Sequence, residues 1–226
     1  MPLLRAGVIP AGFDHGFTTR DVDPDALFAQ RTDLRLFRGL QVHRADVIVV
    51  QGDEDPYDVV AEAADIVCTA RARVAVGVVT ADCVPILLCA PAAAACAAVH
   101  AGWRGTVQRA VQVGVAALVK RLGARVDDVR AAIGPAICGP CYEVGDDVAA
   151  EVAAVDPGAV TRGPSGRAHA DLRRCNRTLL CAAGVPAAQI EDLHACTRCD
   201  PAGRFHSYRR NRELRGEQLA FIGRPG

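Results

Sequence analysis

The chain has 226 residues, half of them hydrophobic and 23% charged, with a formal net charge of zero. That composition suits one folded domain with a substantial core and excludes a disordered or low-complexity segment. Without a block of basic residues there is no electrostatic footprint for nucleic acid, which is not expected as a partner.

Lys120 is the only lysine beside many arginines, which with the abundant alanine reads as genome composition. The start, Met1-Pro2-Leu3-Leu4-Arg5, has no charged region leading into a long apolar one, so no signal peptide is expected. The setting expected is therefore cytoplasmic. The ten cysteines should then be mostly reduced thiols, some of them metal ligands.

In chain order, residues 7–20, ending His15-Gly16-Phe17-Thr18-Thr19-Arg20, read as a strand, and residues 21–33 are polar with a helical patch at 25–30. His43 stands just before a β-rich run at 47–51. Taken alone it reads as a surface histidine. Residues 53–58 read as an acidic loop. Strands are expected at Ile66–Thr69 and Val74–Thr80, with a turn at 71–73.

Two apolar runs follow, Val84–Ala90 and 95–99, split by Pro91. Short and bounded by turn signals, they read as buried strands. The competing reading is a membrane helix, since no charged residue occurs from Cys83 to Trp103. Pro85, Pro91 and the weakly hydrophobic alanines argue against it. A thiol, Cys83, thus leaves one strand end and an imidazole, His100, leaves another. A glycine loop, 102–105, comes next, and Thr106 reads as the cap of a helix over 107–122 ended by Gly123. Gly102 and Arg104 there suggest an anion site at a helix N-terminus.

A strand at 129–133 runs into a rigid Gly/Pro loop, 134–140. Asp146–Val155 reads as a helix and 156–168 as an exposed loop. Asp171 caps a helix whose face is Leu172, Cys175, Leu179, Leu180 and Ala183, ended by Gly184 and Pro186. Closing strands are expected at 190–196, 203–208 and 217–222. Cys68, Cys89, Cys96 and Cys181 lie in apolar runs and read as small buried side chains. With no repeat, linker or GxGxxG motif, residues 1–226 read as a single domain mixing helices and strands.

Three constellations could carry chemistry. His43, Cys83 and His100 offer the three N/S ligands of a catalytic zinc with an open fourth position. Cys138-x-x-Cys141 and Cys196-x-x-Cys199 could together hold a structural zinc on four thiolates, or be unrelated thiols. Alternatively Cys83 is a nucleophile and His100 its base, as in a cysteine hydrolase. Asp82, Glu143, Arg20, Arg104, Arg209 and Arg210 could serve either scheme. A third class, a metal-stabilised interaction module, would rest on the four-thiolate site alone.

The segments His15–Arg20, Gln41-Val42-His43, TADCVP from Thr80, HAGWRGT from His100, GPAICGPCYEVG from Gly134, Asp171-Leu172 and FHSYRR from Phe205 resemble the YfiH/YlmD-type laccase-domain family. That family is also described as multicopper polyphenol oxidase-like and as purine nucleoside phosphorylase-like. The segments span nearly the whole chain in family order. One departure is residues 21–30, where the family carries a Gly/Ser/Asn-rich segment.

The resemblance implies an α+β fold, a four-layer α/β/β/α sandwich with mixed sheets, related to the cytotoxic necrotizing factor deamidase. It implies His43, Cys83 and His100 as metal ligands. The implied activity is zinc-dependent phosphorolysis of adenosine, inosine and methylthioadenosine, with adenosine deamination alongside. A bacterial branch is described as a peptidoglycan editing factor. On this reading Cys83, His100 and Asp82 are the catalytic candidates, and Arg104, Gly102, Arg20 and Arg209 the substrate or phosphate contacts. Asp82, Glu143 and Asp171 are candidates for the proton-carrying carboxylate. The partners expected are a nucleoside and phosphate, with no membrane. A copper laccase is not expected: six His are too few for several copper ions, and Met1 is the only methionine available as an axial ligand. Copper could still occupy the His/Cys/His site in place of zinc.

Overall fold

The computed structural model describes residues 3–213 and 216–226, so Met1 lies outside the described residues. In chain order the elements are β1 (Leu3–Leu4), β2 (Asp14–Thr18), α1 (Pro24–Ala29), β3 (Arg35–Phe37), β4 (Val47–Val49), α2 (Pro56–Ala61), β5 (Ile66–Thr69), β6 (Val74–Thr80), β7 (Val84–Ala90), β8 (Ala95–Ala101), α3 (Trp103–Val107), α4 (Ala110–Leu122), β9 (Arg130–Ile133), β10 (Glu143–Val144), α5 (Asp146–Val155), β11 (Val160–Arg162), β12 (Ala168–Ala170), α6 (Leu172–Ala182), β13 (Ile190–Asp192) and β14 (Gln218–Arg224).

The two central apolar runs pair with each other as antiparallel β7 and β8, Ile86 opposite Val99 and Cys89 opposite Cys96. They lie inside a six-stranded sheet of order β13-β9-β7-β8-β5-β4. Both its faces are covered. Ile86, Leu88, Val99 and Ile66 pack against α4, while Leu87, Cys89, Cys96 and Ala98 meet the second large sheet. A strand buried on both faces needs apolar residues at every position, not alternate ones. This is why the sequence here imitates a membrane segment. No helix among the described residues is long and apolar enough to cross a membrane.

The second sheet has order β1-β2-β14-β6-β3. Its Val74, Val76 and Val78 point toward the six-stranded sheet. On its far side Phe28 of α1 meets Phe221 of β14 edge to face, the ring centres 5.0 Å apart. Helices α4 and α6 cover the far side of the six-stranded sheet, and α5 packs on α3, α6 and the strands β11 and β12. The result is the four-layer α/β/β/α order, with both large sheets mixed and a small antiparallel sheet, β10-β12-β11, at one end.

Several expectations are corrected. Residues 53–58 are not all loop: Asp55 caps α2 through a bond from the Tyr57 N–H, and Pro56 takes its first turn. The region 156–168 contributes β11 and the start of β12. The stretch 203–208 is irregular rather than strand, with a bend at Phe205 and a turn beginning at Tyr208, and it is anchored by Arg204 on Asp200. The helix expected after Thr106 begins earlier, with Gly102 at the cap position of α3. It breaks at Arg109, whose φ is 62°, before α4 starts. Thr106 is buried within α3, and its hydroxyl accepts a bond from Asn176. Cys181 is exposed, unlike Cys68, Cys89 and Cys96.

Candidate metal centre and cleft

His100 is the second-last residue of β8, and Cys83 sits in the turn just before β7. Antiparallel pairing sets His100 opposite Pro85, so the thiol and the imidazole emerge at the same end of these two central strands. His43 arrives from the loop between β3 and β4, with a φ of 60°. The three ligand atoms lie within 4.8 Å of one another, Cys83 Sγ being 4.0 Å from His43 Nε2. The two imidazoles meet edge to face, 4.8 Å between centres.

What holds this arrangement is Asp65, which sequence reasoning missed. It immediately precedes β5 and is wholly buried. Its carboxylate accepts the backbone N–H groups of Val42, His43 and Arg44 at 2.8–3.0 Å, and its Oδ1 lies 2.6 Å from His100 Nδ1. A buried carboxylate accepts, so Nδ1 carries the proton and Nε2 is left for a metal or for Cys83. Burial would raise the Asp65 pKa, but the bonds from His100 and Arg44 outweigh it and hold the group ionised. The one signal for it was a carboxylate set into the apolar run from Ala63 to Val67.

Burial would likewise raise the Cys83 pKa, yet hydrogen bonds from His100 and His43 bring it down to about 7. For His100, burial works downward and is outweighed by Asp65 and Cys83, which lift it to about 9. The two shifts share a cause: Cys83 and His100 each favour the charged form of the other, which is the electrostatics of a reactive thiol. Gly102 closes the floor of the site: a Cβ there would stand 3.0 Å from both Cys83 Sγ and His43 Cδ2.

The trio opens on a cleft of about 680 Å³, of the size that takes a small organic ligand. Arg104, Arg209, Trp103, Tyr142, Asp82 and Glu217 lie on its walls. Arg104 is exposed and stacks on Trp103 at 4.5 Å. The Arg209 guanidinium lies 4.8 Å over the Tyr142 ring and donates to the Glu143 carbonyl. Gln41, also on the wall, exchanges two bonds with the backbone of Val79 on β6. A larger open groove of about 1200 Å³ runs beside α1 and α2, lined by five arginines, but holds none of the thiols or imidazoles.

Not every candidate reaches the cleft. Arg20 lies outside its walls, with its guanidinium near the Gly203 carbonyl. Glu143 pairs with Arg167 in a separate shallow groove, and Asp171 caps α6. Asp82 does reach it, but both its oxygens are engaged, Oδ1 by the Thr197 hydroxyl at 2.5 Å and Oδ2 by the Arg209 N–H at 2.7 Å. Those bonds hold Asp82 at a φ of 95°, a conformation that costs about 1–3 kcal/mol for a residue with a side chain.

Residues 22–225 match the family described as multi-copper polyphenol oxidoreductase laccase. A purine nucleoside phosphorylase of Deinococcus radiodurans is 45% identical over 161 residues, covering 71% of this chain. The matched region spans 61% of that relative's own length. The adenosine deaminase RL5, from an unknown prokaryotic organism, is 40% identical over 178 residues, covering 75% of this chain and 68% of its own. Among solved structures, YlmD of Geobacillus stearothermophilus superposes with a TM-score of 0.89 at 31% identity, covering 100% of this chain and 97% of that one. Bacillus licheniformis YfiH does so with a TM-score of 0.85 at 28% identity, covering 93% and 92%.

Proposed function

The chain belongs to the multi-copper polyphenol oxidoreductase laccase family, and from that premise we propose that it is a zinc-dependent purine nucleoside phosphorylase with accompanying adenosine deaminase activity. The observation that carries this reading is the convergence of His43, Cys83 and His100 within 4.8 Å on a cleft whose walls hold Arg104 and Arg209. The names of the Deinococcus and RL5 relatives supply the substrate class, adenosine, inosine and methylthioadenosine being the nucleosides expected.

The donor set fits zinc: two imidazoles and one thiolate, with a buried carboxylate behind one imidazole. A zinc ion held there would act as a Lewis acid and activate water near neutral pH. Asp65 keeps the Nδ1 proton on His100 and fixes the loop that carries His43. Arg104, steadied by Trp103, is the residue we assign to phosphate, and Arg209, over Tyr142, is a second cation facing the same space. Trp103 and Tyr142 offer aromatic surface for a purine. With both Asp82 oxygens engaged, Asp82 acts as a positioning residue for Cys83. The exposed Glu217 is the wall carboxylate we assign to proton transfer.

Copper laccase chemistry has little support in the ligand inventory. Of the six histidines, only His43 and His100 belong to a metal-sized group among the described residues. One observation favours a second reading. Cys83, His100 and Asp65 stand in the order of a nucleophile, its base and the base's orienting carboxylate. That reading is a cysteine hydrolase acting on an amide such as a cell-wall precursor.

One experiment separates the two. The chain and its Cys83→Ala variant are purified without added metal, zinc and copper are quantified, and adenosine with phosphate is followed by chromatography. Zinc lost in the variant, with adenine or inosine released by the wild type, supports the nucleoside reading. A wild type without zinc at Cys83 and inert toward nucleosides overturns it and turns attention to amide substrates.

A further inference from the structure

Outside that cleft stand four thiols, brought together from two distant segments. Cys138 and Cys141 flank a tight turn, with the Cys141 N–H on the Cys138 carbonyl at 3.0 Å. Cys196 and Cys199 flank a second turn. The segments are tied side by side: Ala136 N–H donates to the Ala195 carbonyl, and Thr197 N–H to the Ala136 carbonyl. All four sulfurs lie within 4.8 Å of one another, and Cys138 Sγ is 3.8 Å from Cys199 Sγ. Cys196 Sγ accepts two backbone N–H groups, from Cys138 at 3.3 Å and Cys199 at 3.4 Å.

We propose that Cys138, Cys141, Cys196 and Cys199 bind one structural zinc ion, separate from the His43/Cys83/His100 centre. Four sulfurs at tetrahedral corners, each about 2.3 Å from zinc, stand about 3.8 Å apart, which is the scale of the cluster. A cluster of several irons needs its cysteine sulfurs spread over different metal atoms, wider than this group allows. The N–H groups on Cys196 favour its thiolate form. Arg198 and Arg210 hydrogen bond to carbonyls of the two turns, setting positive charge beside a site that would carry two net negative charges. A fully ligated tetrathiolate has no open position for substrate, so the role is structural.

The placement gives this ion a task. Thr197, between the second pair of ligands, holds Asp82 Oδ1, and the Ile137 N–H, one residue before the first ligand, holds the Asp82 carbonyl. Both turns therefore grip the residue that precedes Cys83. The ion would lock two loops that the polypeptide otherwise joins through a few hydrogen bonds.

Zinc per chain is counted in four proteins purified under reductant: wild type, Cys83→Ala, the double variant Cys138→Ser/Cys199→Ser, and all three substitutions combined. If the catalytic centre also holds zinc, two, one, one and none are expected. If it does not, the Cys83→Ala count still equals the wild type's. In a second measurement, metal-free Cys83→Ala is titrated anaerobically with cobalt(II) alone. One equivalent should produce strong sulfur-to-cobalt charge transfer and the visible bands of a tetrahedral thiolate site. This arm requires no change to the four cysteines. The proposal is overturned if Cys83→Ala takes up neither zinc nor cobalt with thiolate absorption, or if these cysteines are recovered as disulfides under reductant.

Discussion

His100 Nδ1 lies 2.6 Å from Asp65 Oδ1, a carboxylate with no exposed surface that also accepts the N–H of His43. One buried side chain thus orients two of the three candidate metal ligands. Leaving any of its partners without an acceptor would be costly, because the site is shut off from water.

Asp65→Asn removes the charge and replaces one accepting oxygen with an NH2 group that faces N–H donors whichever way the amide is turned, so it should weaken zinc binding about 10–100-fold, the usual cost of losing such a partner. Asp65→Ala should in addition lower stability by about 3 kcal/mol or more, since His100 and three backbone N–H groups lose their acceptor. Competition with a chromophoric chelator and urea denaturation check the two effects. Zinc affinity unchanged in both variants would count against the assignment.

Gly102 has a φ of −69°, so its need for glycine comes from space rather than backbone freedom. Alanine there would press its methyl group on Cys83 Sγ and His43 Cδ2. The expected result for Gly102→Ala is a folded chain that binds less zinc, read by metal analysis beside circular dichroism. Full zinc content would show that the floor has room to give.

Arg104 is exposed, and its stacking on Trp103 contributes about 0.5–1 kcal/mol at such a site. Arg104→Ala should therefore change the melting temperature little while raising the apparent KM for phosphate about tenfold, the equivalent of one charge-assisted contact. Initial rates over a phosphate series decide it. An unchanged KM removes Arg104 from the phosphate site.

His15 is buried and accepts the Ala6 N–H on Nε2. Burial is the main cause that lowers its pKa from the ordinary value, with Arg5 acting in the same direction. The unfolded chain protonates near pH 6.5, before the folded one does, so the stability due to neutral His15 is complete above that pH and lost as pH falls through the folded pKa. His15→Gln cannot titrate. Between pH 7 and pH 5 the wild type should lose more melting temperature than this variant, and parallel curves would refute the assignment.

Much of this protein was written locally. The bounds of β5, β6, β7, α5 and α6 follow from apolar runs, turn residues and caps such as Asp171, all of which act within a few residues. The same locality hid α2, whose Asp55-Pro56 start signal sat in an acidic stretch, and β11 and β12, whose short strands form only against each other and β10. His43, Cys83 and His100 were legible as residue types and, through the family resemblance, as a set. Their convergence depends on Asp65, which bonds to N–H groups about 22 residues before it and to an imidazole 35 residues after it. Asp82 was legible as a carboxylate beside Cys83, but only packing revealed that Thr197 and Arg209, more than 100 residues away, already occupy its oxygens. The two CxxC pairs were visible in the sequence too, yet whether they meet across 58 residues is decided by the strand-like pairing of Ala136 with Cys196. Composition and periodicity set which residues could be buried or capped; only the closing of the chain on itself determines which distant polar groups satisfy one another.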